Sequence, residues 1–155
     1  MTIGLLALIC AAMFAGIALY ISIAEHPARL HLVPASALTH WKPSYGAGLI
    51  MQGALSAVAG LLGLATFLIY GFYISWLYGA IFMLINWPYT WYLIMPLNRE
   101  LKAIEPAAAN DETMAKLAQW GWMHLVRGLL GAAGLLFYFL AAMDMLQRVP
   151  GVIGR

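Results

Sequence analysis

Four stretches of roughly twenty predominantly apolar residues limit what this chain can fold into. They run from Ile3 to Ile23, Ala47 to Ile69, Phe72 to Met95 and Gln119 to Met143. About 20 residues of helix cross a hydrocarbon layer, and inside lipid every backbone N–H and C=O must be bonded within its own segment. Each stretch therefore reads as a transmembrane helix. Composition closes the soluble alternative, because 64% of the 155 residues are hydrophobic, 9% are charged and mean hydropathy is +0.84. The expected fold is an all-α four-transmembrane-helix bundle, a single membrane domain over residues 1–155. The first stretch has no basic residue ahead of it and is longer than a signal-peptide core, so it is expected to be a retained span. Small residues at packing distance, such as Ser56 and Gly60 or Gly128, Gly131 and Gly134, would let backbones approach closely.

The connections are unequal. Tyr70 and Gly71 alone separate the second and third spans, whereas Ala24 to Gly46 and Pro96 to Ala118 read as long loops. With four spans both loops lie on one side, together with Arg29, Lys42, Arg99, Lys102 and Lys116; Arg148 and Arg155 lie on the other. That bias puts the long loops in the cytoplasm. Within the second loop Leu97 to Ile104 is expected to form a short helix, Pro106 to interrupt it, and Asn110 or Asp111 to cap a helix continuing into span four. A net charge of +2 without a basic run excludes nucleic acid as a partner, and the lone Cys10 can form no internal disulfide. The bilayer and a hydrophobic small molecule are the expected partners, and the glycine faces would also permit a homo-oligomer.

Polar residues gather at one end of every span. Glu25 and Arg29, with His26 beside them, follow span one; Trp41, Tyr45, Gly48 and Gln52 share a face leading into span two. Asn86, Thr90 and Asn98 belong to span three, and Trp120, His124, Arg127 and Gly131 to span four. For several of these a structural role is enough: tryptophans near helix ends anchor interfaces, Lys42, Arg99 and Lys102 are solvated, and Arg29 pairs with Glu25 one turn away. His31 and His40 read as loop residues. Glu25, His124 and Arg127 are harder to dismiss, because ionisable groups at membrane depth are costly and face a bundle interior or a wet cavity. Either Glu25 and Arg127 form a structural clasp or these residues mark a site under the loops.

The runs GIALYISIAEHPARL, HWKPSYGAG, PYTWYLIMPLNREL and WGWMHLVRG resemble, in this order, the anthrone-oxygenase-like family of small four-helix membrane proteins. The resemblance spans roughly Ala15 to Tyr138 and falls on Glu25, Pro27, Trp41, Thr90, Pro96, Asn98, Trp120, His124 and Arg127. It implies an oxygenase activity, since some members oxidise anthrones to anthraquinones with molecular oxygen, and a place in a bacterial plasma membrane.

The side chains suit that chemistry. His124 or Glu25 can remove a proton from a carbon acid, and Arg127 and Asn98 can meet the enolate oxygen. Trp41, Tyr45, Gln52, Thr90 and Trp120 would then contact a planar substrate. Two routes are open: a cofactor-free reaction, or one in which His26, His124 and Glu25 hold copper or iron. Two facing imidazoles could instead ligate haem, which would make the protein a redox carrier. A structural or transport protein is the third reading. The two halves also look like parallel copies, each with an apolar span ending in a proline-containing polar stretch (EHPARL, MPLNREL) and a later tryptophan followed by a polar residue.

Overall fold

The computed structural model describes residues 2–70 and 73–147. Gly71, Phe72, Arg148 and Arg155, which entered the expected topology, lie outside the described residues. Three helices are long and apolar enough to cross a membrane: Thr2–Leu30, Pro34–Ile69 and Asp111–Met145. The first consists of α1 (Thr2–Tyr20), a π-helical turn (Ile21–Glu25) and α2 (His26–Leu30); the second is α3 (Pro34–Ile69). The expected third span is a rod of shorter pieces, α4 (Ile74–Leu84), α5 (Asn86–Tyr89), a second π turn (Thr90–Ile94) and α6 (Met95–Ala103). A short 3₁₀ turn at Pro106–Ala108 leads to α7 (Asp111–Gln147).

The first long loop is mostly helix, which corrects the sequence reading, whereas in the second the short helix α6, the break at Pro106 and the start of α7 fall where expected. Only His31, Leu32 and Val33 interrupt Ala24 to Gly46, because α3 already starts at Pro34 and continues through Pro43. At 36 residues α3 is about 54 Å long, far more than a hydrocarbon layer of about 30 Å, so its polar first turns stand clear of the apolar belt. α7, at 37 residues, does the same from its other end of the chain order. Its start matches the expected cap: Asn110 Oδ1 accepts from the Thr113 N–H at 3.2 Å and Thr113 Oγ1 accepts from the Asn110 N–H at 3.2 Å, a reciprocal box.

The two π turns have one cause. Pro27 and Pro96 lack the N–H that would continue an α ladder. Just before each proline the ladder widens by one residue, so that the His26 N–H bonds to Ile21 O and the Met95 N–H to Thr90 O. The element order therefore repeats: apolar helix, π turn, proline-led helix, then a long helix.

α1 packs against α3 and α7, and α4 against the same two, so the rods form a ring with α1 across from α4 and α3 across from α7. Two apolar clusters fill the ring. One joins Phe14, Ala59, Trp76, Met83 and Tyr138; the other joins Leu38, Trp41, Leu101, Leu117 and Trp120. In the first, Tyr138 lies where α3 and α4 offer no side chain: a Cβ on Gly79 would stand 2.2 Å from its ring and one on Gly63 2.0 Å from its hydroxyl, which donates to Ala59 O at 2.8 Å. Gly79→Leu is expected to cost about 1–3 kcal/mol through overpacking. Thermal unfolding in detergent measures it, and an unchanged midpoint would mean that α4 and α7 do not meet at this ring.

Candidate functional site

A layer of buried polar side chains separates the two apolar clusters. α3 supplies Gln52 and Ser56, the α4–α6 rod supplies Asn86, Thr90 and Asn98, α7 supplies His124 and Arg127, and α2 supplies His26 and Arg29. Glu25, Gln52, Asn98, His124 and Arg127 line one cavity of about 30 Å³, enough for about one water-sized molecule. Tyr45, Thr90, Trp120 and Arg29 also line it. The register of α7 explains the first of these placements: His124 and Arg127 are three residues apart, and Gly131 continues their face with its Cα against the Phe14 ring.

His124 is held on both nitrogens. Ser22 Oγ lies 3.3 Å from Nδ1, Gln52 Oε1 lies 3.4 Å from Nε2, and the ring stacks on Trp120 at 5.1 Å. A hydroxyl oxygen and an amide oxygen both accept hydrogen bonds, so the imidazole can take up a proton and keep both contacts. Trp120 in turn donates from Nε1 to Asn98 Oδ1 at 2.9 Å, which orients the amide and leaves Asn98 Nδ2 unpaired. Arg127 packs its guanidinium over Phe14 at 5.5 Å, and its buried Nε has no hydrogen-bond partner. Gln52 Nε2, Asn86 Oδ1 and Thr90 Oγ1 are likewise buried and unpaired. Native interiors leave few such atoms, and here they collect in one layer.

Arg29 was read as a surface partner of Glu25, and the structure corrects this. It is 2% exposed and gathers four side chains: Glu25 and Ser44 on Nη2, His26 Nδ1 at 3.1 Å from Nη1, and His40 Nδ1, which accepts from Nε at 3.2 Å. His40 belongs to α3 and not to a loop. Glu25 thus forms its ion pair with Arg29, and the alternative of a Glu25–Arg127 clasp is not formed, although both residues line the cavity. The spacing of His40 and Ser44, one turn apart on α3, was the available signal for this network.

Trp41 is fully buried behind the cavity, stacked on Tyr45 at 4.8 Å, and is neither an interface anchor nor part of the lining. His26 is pressed against Gly121, where a Cβ would come within 2.4 Å of its ring, and borders a separate crevice with Leu30 and Trp122. Consequently the metal set His26, His124 and Glu25 is not assembled: among the described residues no three His, Cys, Asp or Glu side chains come together as ligands. His26 and His124 each contact the Trp120 ring, at 5.2 and 5.1 Å between centroids.

A protein-family model described as anthrone oxygenase matches residues 41–137. The matched stretch contains Tyr45, Gln52, Thr90, Asn98, Trp120, His124 and Arg127, while Glu25, His26 and Arg29 precede it. Neither a curated protein nor a solved structure matches the chain significantly.

Proposed function

The chain belongs to the anthrone oxygenase family, and from that premise we propose that it is a membrane-embedded oxygenase that oxidises a hydrophobic, anthrone-like carbon acid with molecular oxygen. The observation that supports this reading best is a doubly held imidazole sharing a cavity wall with two buried donor atoms, Arg127 Nε and Asn98 Nδ2, that have no hydrogen-bond partner among the described residues. The α4–α6 rod serves as the fourth span, and the basic residues on the projecting ends favour a cytoplasmic position for them.

His124 takes one proton from the methylene carbon of the substrate. The enolate oxygen that results is met by Arg127 and the Asn98 amide, which already point at the cavity and need no reorganisation. The carbanion passes an electron to dioxygen, and the two radicals combine, forming a C–O bond and, after the proton returns from His124, a hydroperoxide. Loss of the second C–H proton then breaks the O–O bond, forms the new C=O and releases water. One dioxygen is consumed, one oxygen atom enters the ketone and the other leaves as water with the two methylene hydrogens. Glu25 is neutralised by Arg29 and contributes charge balance to the wall, while Trp120 and Tyr45 wall the small polar cavity in which the proton and dioxygen are handled.

Oxygen uptake and quinone absorbance with anthrone, using protein in nanodiscs, test the proposal. His124→Gln is expected to lower the rate by at least about 10²-fold with the melting temperature retained. Wild-type protein that consumes no oxygen above the spontaneous rate, or a His124→Gln variant as fast as wild type, would overturn it.

A further inference from the structure

The polar cavity holds a molecule the size of water or dioxygen, which leaves the rings of a substrate without a seat. A second cavity, of about 410 Å³, adjoins it and lies between α3 and the α4–α6 rod. Leu49, Thr90 and Arg127 belong to both linings, so the two spaces share a wall. The outer rim of the larger one is apolar and exposed: Ile50, Trp87 and Trp91 are 75%, 50% and 59% exposed, and Ala54 lies between them on the same flank. In a helix bundle whose flanks are this apolar, such a rim faces acyl chains and not water. Its inner end is different. Asn86 is 1% exposed and donates from Nδ2 to Phe82 O at 2.9 Å, which fixes the amide orientation and leaves Oδ1 as an acceptor without a donor. Arg127 Nε is the complementary case, a donor without an acceptor, and Thr90 Oγ1 can serve either way.

We infer that this groove is a lateral port and seat through which a planar aromatic ketone enters from the bilayer, with Arg127 receiving its carbonyl oxygen and Asn86 reading a hydroxyl on the same edge. The inference rests on the proposed oxygenase reading for its substrate class, but not for its binding geometry. Walls of leucine, isoleucine and two tryptophans suit fused rings. The unpaired acceptor of Asn86 is satisfied only by an O–H or N–H donor, so Asn86 acts as a specificity-determining residue and Arg127 as the carbonyl contact. An acyl chain would fill the groove but leave all three polar atoms unpaired, which disfavours lipid as the occupant.

Binding of two non-oxidisable probes, 9,10-anthraquinone and 1,8-dihydroxy-9,10-anthraquinone, to wild-type protein in phosphatidylcholine nanodiscs tests the assignment through tryptophan quenching. Both should bind, the dihydroxy probe about fivefold tighter, as one additional buried hydrogen bond implies. Ala54→Trp, and independently Ile50→Trp, should weaken both probes at least about tenfold without a change in melting temperature, because these positions line the rim and bear no core contact. Asn86→Leu should remove the preference for the dihydroxy probe and retain the affinity for the unsubstituted one. Wild-type affinity in both rim variants, or failure of either probe to bind wild-type protein, would overturn the port. Equal weakening of both probes by Asn86→Leu would overturn the specificity role. If the probes bind as described while anthrone is not oxidised, the oxygenase reading fails and the port stands; if anthrone is oxidised at full rate by both rim variants, the port fails and the oxygenase reading stands.

Discussion

Replacing Arg127 by methionine is expected to lower anthrone oxidation about 10²- to 10³-fold while the melting temperature stays the same or rises. The first half follows from its place on the wall shared by both cavities, where it is the one guanidinium positioned to meet an enolate oxygen. The second half follows from what it lacks. Its buried Nε is unpaired among the described residues, and its guanidinium lies over the face of Phe14 with no carboxylate paired to it there. A buried charge without a counter-ion is a standing cost, so an unbranched apolar side chain of similar length relieves the fold and removes the chemistry. Steady-state oxygen uptake and thermal unfolding of the same preparation check both halves. Loss of activity accompanied by an equal loss of stability would show that Arg127 serves packing instead.

Arg29 is expected to behave in the opposite way. Arg29→Met strands the Glu25 carboxylate and removes the donor shared by Ser44, His26 and His40, at a cost of about 3 kcal/mol, the lower end for a broken buried pair because Glu25 keeps some contact with solvent. Unfolding in mixed micelles reads the loss. Adding Glu25→Gln to Arg29→Met should recover part of it, since the stranded charge is then gone. If the double variant is the sum of the two single ones, Glu25 and Arg29 do not act as a pair. Two buried arginines in one small bundle thus separate by what surrounds them: one holds α2 to α3, and the other faces a cavity.

The sequence carried the helices and the layer well, because lipid leaves a chain few options and because polar residues at membrane depth are conspicuous. Asn98, His124 and Arg127 stood out for that reason, and all three line the cavity. The extent of α3 was harder to read. His40, Lys42, Pro43 and Ser44 have the composition of a loop, and a proline inside a helix is ordinarily a reason to end it, yet α3 runs through Pro43. Arg29 was misjudged because a glutamate four residues earlier offered a sufficient partner; its other contacts come from α3 and exist only after α2 has packed. The π turns were a further feature that the residues did not announce. Each adds a residue to the ladder, so positions on either side of it no longer share one helical wheel, and His26 rather than Glu25 turns fully inward.

Both halves of the chain use that same joint in the same order, and neighbouring rods are joined end to end, so the first half and the second run in the same direction. On the proposed membrane reading, two such parallel halves would be related by an axis along the membrane normal. Such an axis never exchanges the two faces of a bilayer, in contrast to the inverted repeats of many carriers, whose sites sit near the midplane and open to each face in turn. On that reading the polar layer, at the same end of every rod, would belong to one leaflet. A molecule that enters by the proposed port between α3 and the α4–α6 rod would be converted and returned within that leaflet, so that its chemistry, and not its sidedness, would change.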